Sequence, residues 1–334
     1  MNSEIKEDLT EMAKRLSLYV DKGWAVESTE VRQEPRFAIP LDKSRIKPLR
    51  KVDSCNFKVF AVDCSTRTLK RANNWGVYLL RTAYASIRGR NVDWGFEERI
   101  RTTTGDTRMR YRFLEDARVE LESMMALNLL RKEGGCGDVD YLLLDGASYF
   151  GGERKFRTFL YEKCEGDGVN LLAISKQSPV LHDDKGRDLL AATYGLSLHD
   201  IWVYHPVVEA KIREHLYGDI SIVKLCADSP RVFRCDIMEY LLREGGTVHE
   251  LLSPLTSLSE DPRCTGYPVT LWLAHDFSQP SDAKLLHYCE EVERTLENAD
   301  LLDMLRKEEF SCSFADELHG VKYAFKREWW GDYV

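Results

Sequence analysis

The sequence predicts an α/β fold: one mixed β-sheet core flanked by helices, with an N-terminal helical arm and a C-terminal extension. Three observations carry that prediction. Phe57-Lys-Val-Phe-Ala-Val-Asp63 is an apolar run too continuous for a strand with one wet face, so it suits a central strand covered on both sides. Tyr141-Leu-Leu-Leu-Asp145 repeats the arrangement, with a carboxylate at its end and small residues beyond. After the second run, strand-like and helix-like periods alternate, as in a sheet with helices on its faces.

Composition bounds the rest. The 334 residues, 43% of them hydrophobic, suffice for one substantial core with additions. We read residues 1–334 as a single domain with its core over about 55–300, a helix and arm over 1–54 and a tail over 301–334. A net charge of −8 excludes a generally basic coat for nucleic acid but allows a local groove of Lys and Arg. No apolar run approaches the roughly 20 residues that span a bilayer, and the charged N-terminus does not resemble a secretory signal. The expectation is a soluble, cytoplasmic protein with no membrane partner. Nine cysteines lie scattered without a CxxC pair, which argues against structural zinc and for reduced, buried thiols. Cys64 follows Asp63 directly, but with no His near it in sequence it reads as a small residue at a turn and not as a nucleophile.

In chain order, Ile5, Leu9, Met12, Leu16 and Tyr19 recur at helical spacing and predict an amphipathic helix over residues 3–20. Pro35, Pro40 and Pro48 mark an extended arm to about residue 54. Beyond the first strand, 75–87 and 92–104 are rich in aromatic and β-branched residues and are separated by Arg88-Gly-Arg-Asn91, so the three strands form a meander. Asp106 or Thr107 can cap a helix to about Lys132, with Leu114, Ala117, Leu121, Met124, Met125 and Leu129 as its apolar stripe and Gly134-Gly135 as its stop. The second Asp-terminated strand covers 139–144, a charged helix covers 152–164, and a buried strand over 169–175 ends at Lys176. Helices are expected near 185–195 and 206–217, then a hairpin of 220–225 and 232–237 around Asp228-Ser-Pro230, then a helix over 247–258. Residues 267–275 mix helix and strand signals; Pro268 suits a first helical turn, and helix is preferred. Ser281 caps a helix with Leu285, Cys289, Val292 and Leu296 on one side, before a tail whose Trp329, Trp330 and Tyr333 pack back on the domain, dock on a partner or stack on bases.

Two aspartates ending buried strands suit several phosphate-handling folds. A metal-dependent phosphodiesterase needs three or four oxygen ligands around one or two divalent ions, so a third carboxylate is expected from the long helix. Projected at 100° per residue, Glu120 lies roughly 90° from the centre of the apolar stripe, and Glu122 and Glu115 roughly 110° and 130°. Glu120 is the marginal favourite, and at least two of the three are solvated surface charges. His275 closes an apolar stretch, where a hydrogen-bonded structural histidine competes with a metal ligand or a general acid–base group. Lys176 neutralises a phosphate or simply ends a strand at the surface; Lys70 and Arg71 are further candidate phosphate contacts. Neither GxxxxGK[ST] nor GxGxxG is present, so the chain carries no nucleotide-cradling loop of those kinds.

Taken in order, Val62-Asp63-Cys64-Ser65, Leu144-Asp145-Gly146-Ala147-Ser148, Ile174-Ser175-Lys176, Val223-Lys224-Leu225 with Val232-Phe233-Arg234, and Tyr267-Pro268 through Ala274-His275 resemble the motifs of the NurA nucleases over about residues 55–300. The resemblance implies an RNase H-like core, DNA cleavage with one or two Mn²⁺ (or Mg²⁺) ions, and a homodimer. It also implies a HerA-like hexameric ATPase translocase as partner in DNA end resection and recombinational repair. It matches Asp63 and Asp145 to the family's two strand-end aspartates, Glu120 or Glu122 to its helical glutamate, and His275 to its late histidine. Cys64 stands where the family usually has Gly, and Ala147 where it has Ser after the Asp-Gly. The expected function is a metal-dependent DNA nuclease: a single-stranded endonuclease, a 5′–3′ exonuclease, or both. Its rivals are a non-catalytic adaptor of a DNA translocase and a sugar-kinase-like or actin-like ATPase, against which the missing glycine-rich loops count.

Overall fold

Residues 59–62 and 141–144, the two aliphatic runs, lie side by side as parallel strands in the interior of a large sheet. The computed structural model describes residues 2–23, 34–132, 139–151, 155–197 and 199–309. The strands are β1 (Phe37–Ile39), β2 (Ile46–Pro48), β3 (Val59–Arg71), β4 (Trp75–Arg88), β5 (Asn91–Thr104), β6 (Tyr141–Asp145), β7 (Asn170–Ser175), β8 (Leu181–Asp183), β9 (Trp202–Val208), β10 (Gly218–Lys224) and β11 (Phe233–Met238). The helices are α1 (Ser3–Lys22), α2 (Thr107–Lys132), α3 (Lys155–Asp167), α4 (Leu189–Tyr194), α5 (Glu239–Arg243), α6 (Val248–Thr256), α7 (Val269–Phe277) and α8 (Asp282–Asn298).

Nine strands form one sheet in the order β2-β9-β10-β11-β7-β6-β3-β4-β5, and β1 pairs with β8 apart from it. The β3-β4-β5 meander is antiparallel, while β6 and β7 run parallel to β3. This is the mixed α/β sheet that the two Asp-ended runs predict. Helices cover both faces: α2 packs Leu114 and Ala117 on Cys64, Tyr78 and Leu80, whereas α1 and α8 pack on Val77, Leu79 and Ile100. The side chain of Asp106 accepts the Met109 N–H at the start of α2, Ser281 caps α8, and Thr247 forms a capping box with Glu250 on α6.

The structure corrects several expectations. β3 does not stop at Asp63 but continues to Arg71, because β4 pairs with it along nearly its whole length; Asp63 is therefore mid-strand. The helix expected over 206–217 is absent. Its first residues belong to β9, whose aromatic and β-branched side chains favour a strand and which β2 and β10 pair on either side. Only a short 3₁₀ turn, Ile212–Glu214, follows. The arm contributes short strands β1 and β2, and the helix expected near 185–195 shrinks to α4. Met124 is 46% exposed, since α2 gives the sheet its Leu114-Ala117-Met125-Leu129 side. Gly134-Gly135, the start of the helix expected at 152, and the tail with Trp329, Trp330 and Tyr333 lie outside the described residues. Among the described residues no helix is long and apolar enough to cross a membrane, and the seven cysteines are free thiols, six of them buried.

Candidate metal centre

Register brings the two aspartates together. Val62 pairs with Leu144 in the parallel β3–β6 ladder, so the next residues, Asp63 and Asp145, stand beside each other on one face. β6 ends there because Gly146 takes φ +144°, a conformation that side chains resist. Carboxyl ends of parallel strands are where open α/β sheets commonly place their sites. Helix α7 begins after Pro268, which needs no backbone donor there, and carries His275 in its last turn. The His275 Nδ1 lies 2.7 Å from Asp63 Oδ2, and the Ser278 hydroxyl donates to the same oxygen at 3.2 Å. One ligand atom from each of Asp63, Asp145 and His275 falls within 4.8 Å of the other two.

The electrostatics keep Asp63 anionic. Burial works to raise the pKa of Asp63, but the His275 hydrogen bond and the charges of Arg118 and Lys176 outweigh it and hold the carboxyl at about 2. Asp145 receives Lys176 Nζ at 2.6 Å on one oxygen and the Tyr267 hydroxyl at 3.3 Å on the other. Burial and the neighbouring carboxylates push the Tyr267 phenol well above its ordinary range, which fixes it as a donor. Cys64 points to the opposite face, where Thr82 donates to its sulfur; burial raises the thiol, and it is inert.

Of the helical glutamates, Glu122 is buried and Glu120 is half-buried outside the three-residue group. Arg157 Nη2 donates to Glu122 Oε2 at 2.6 Å, and Arg118 Nη2 stands 3.5 Å from Oε1, an oxygen buried without a hydrogen-bond partner. Burial raises the Glu122 carboxyl, the charges of Arg157 and Arg118 lower it, and those of Asp63 and Asp145 raise it again, leaving it above the usual range. Lys70 is engaged by Glu293 at 2.7 Å and Glu309 at 3.3 Å. Lys70 and Arg71 end β3, roughly 20–25 Å from Asp63 at about 3.3 Å per residue.

Two positions with no role assigned from sequence support the site. Asp236, on β11, accepts both the backbone N–H and the hydroxyl of Ser148 at 2.8 Å, tying down the loop that follows Asp145. Arg234 holds Asp236 through two 2.7 Å bonds and continues to Glu34 at 2.6 Å. The signal available was two opposite charges, Arg234 and Asp236, inside the otherwise apolar strand 233–237. Tyr267 carried only its place before Pro268.

A meander that leads into two parallel strands, with carboxylates meeting where β6 stops, defines an RNase H-like α/β fold. Within that class the chain resembles the NurA nuclease from Sulfolobus solfataricus, with a TM-score of 0.56 at 17% identity over 88% of this chain and 95% of that one. A second NurA structure gives a TM-score of 0.52 at 12% identity over 90% of this chain and 99% of that one. NurA with manganese gives 0.50 at 12% identity over 90% and 100%. The chain therefore has the NurA fold. No protein-family model and no curated protein matches the sequence.

Proposed function

We propose that the protein is a divalent-metal-dependent nuclease that hydrolyses phosphodiester bonds of DNA. The observation that carries this reading is the convergence of Asp63, Asp145 and His275, from three separate elements, within 4.8 Å. Two carboxylates and an imidazole with no thiol are a donor set that fits Mn²⁺ or Mg²⁺. When bound, such an ion activates water and offsets charge on the phosphodiester oxygens. Asp63 stays ionised over the whole working range of pH, so it offers a ligand that no proton contests. His275 sets Nδ1 against Asp63, and its imidazole is the group we assign to a ligand bond or to a proton at the reacting phosphate. Glu122, with one buried oxygen lacking a hydrogen bond, is our choice over Glu120 for the helical carboxylate. Lys176 and Tyr267 hold Asp145 and present a cation and a hydroxyl beside it.

The same reading extends to one or two ions, single-stranded endonuclease or 5′–3′ exonuclease action, a homodimer, and a cytoplasmic role in end resection and repair beside a HerA-like hexameric ATPase. The test is cleavage of end-blocked and free-ended single-stranded DNA with Mn²⁺, Mg²⁺ or EDTA. Metal-dependent cleavage is expected, reduced about 100-fold or more in Asp63→Ala and Asp145→Ala. Undiminished cleavage by Asp63→Ala rejects the site, and a chain with no divalent-ion site by calorimetry is an adaptor.

A further inference from the structure

Trp94 and Phe96 stand side by side in solvent on the sheet face that carries Asp63, 50% and 44% exposed. The register sets them there. Asp63 pairs with Ala83 and Ala83 with Phe96, while Ala61 pairs with Ala85 and Ala85 with Trp94; directly opposed residues share a face. Two strand spacings put Phe96 about 10 Å from Asp63. The intervening Gly95 points to the other face, where the Tyr84 ring lies so close that a Cβ would meet it at 2.7 Å.

The rings are arranged as plates. The centroids of Trp94 and Phe96 are 6.4 Å apart, with the rings 15° from parallel. Each plate has a partner: Phe277 of α7 stacks on Trp94 at 4.5 Å and 21°, and the Arg81 guanidinium lies 4.3 Å from the Phe96 ring. A flat heterocycle held between two rings needs about 7 Å, two van der Waals contacts of about 3.5 Å. A small rotamer adjustment opens that gap. Helix α7 joins the plates to the metal centre, since it offers His275 to Asp63 and Phe277 to Trp94.

We propose that Trp94 and Phe96 form a slot for one unpaired base of a DNA strand whose backbone runs past Asp63, a proposal that rests on the nuclease reading above. A protein partner fits the stripe poorly. Val92, Trp94 and Phe96, each about half exposed, offer on the order of 300 Å², well short of the roughly 800 Å² a side of a stable interface. A duplex keeps its bases stacked inside and cannot enter. The slot thus selects single strands or opened ends, and stacking makes it tolerant of sequence.

The test is fluorescence anisotropy of the full chain in EDTA with a labelled 15-nucleotide oligothymidine and with a 15-base-pair duplex. Trp94→Ala and Phe96→Ala are each expected to weaken single-strand binding about tenfold or more while duplex binding stays within about twofold; Trp94→Phe, which keeps a plate, retains most of the single-strand affinity. Unchanged oligothymidine affinity in Trp94→Ala overturns the proposal, as does an equal loss for both DNA forms. A change from dimer to monomer in sedimentation also overturns it, by assigning the stripe to a second copy. Hydrolysis of bis(p-nitrophenyl) phosphate by the wild type with Mn²⁺ separates the two readings. If it proceeds while the oligothymidine result is negative, the slot alone fails; if it does not proceed, the nuclease reading fails.

Discussion

The 2.7 Å contact between His275 Nδ1 and Asp63 Oδ2 locks the last turn of α7 onto β3, an interior strand of the sheet. With the charges of Arg118 and Lys176 it also holds the Asp63 carboxyl near 2, below its ordinary 3.8. His275→Ala removes the contact and its share of that depression. The Asp63 pKa should move up, measured by NMR titration, and Mn²⁺ affinity by calorimetry should fall about 10- to 100-fold. The depressed carboxyl also supports stability that is complete above about pH 4 and lost as pH falls from about 4 to about 2. In His275→Ala this acid loss should shrink; an unchanged acid limb and unchanged Mn²⁺ affinity would contradict the coupling.

Lys176 holds Asp145 at 2.6 Å, yet its side chain is 41% exposed. If Asp145 is a metal ligand as proposed, the cation on it competes with the ion, but only weakly, because half-exposed ion pairs are worth about 0–1 kcal/mol. Lys176→Met should therefore tighten Mn²⁺ binding up to about fivefold while slowing DNA cleavage tenfold or more, as the phosphate loses its cation. The opposed signs are the point. If calorimetry and cleavage fall together, Lys176 merely supports Asp145.

Glu122 and Arg157 are both buried and joined at 2.6 Å between α2 and α3. Removing one partner strands the other charge, so Arg157→Met should cost about 3–5 kcal/mol in urea denaturation. The double variant Arg157→Met with Glu122→Met should recover most of that loss, because two apolar side chains of similar volume leave no buried charge. A single-variant cost below about 1 kcal/mol would mean that the pair is solvated.

The contrast between Glu122 and Asp63 shows where sequence reading stops. Continuous apolar runs at 59–62 and 141–144 can only be buried, so two interior strands each followed by an aspartate are legible from the sequence, whereas their parallel register beside each other is set by the sheet. Capping residues Asp106 and Ser281 likewise mark helix starts by their own chemistry. Which glutamate is buried is not legible, since helical projection ranks Glu120 first and the burial of Glu122 depends on Arg157 from another helix. The extent of β3 beyond Asp63 and the strand character of β9 are set by their neighbours across the sheet. The Asp236 support of Ser148 joins residues 88 apart in the chain, so the charge pair inside strand 233–237 marks Asp236 locally but not its partner.

His205, on β9, gives a pH response separate from the candidate metal centre. Its Nδ1 meets the Ser221 hydroxyl at 2.9 Å, and its Nε2 lies 3.7 Å from Asp219 Oδ2. Burial pulls its pKa from 6.5 to about 4, against the smaller pull of the Glu209 charge. A histidine depressed in the folded state is protonated first in the unfolded chain. Its contribution is therefore complete above about pH 6.5 and lost as pH falls toward about 4, roughly 3 kcal/mol in all. His205→Gln, which cannot take a proton, should flatten urea-denaturation stability between pH 6.5 and 4 and leave the lower-pH loss attributed to Asp63 in place. Because five strand spacings, roughly 24 Å, separate β9 from β3, Mn²⁺ affinity of this variant at pH 7 should match the wild type. A slope that persists between pH 6.5 and 4 would move the acid sensitivity to another group.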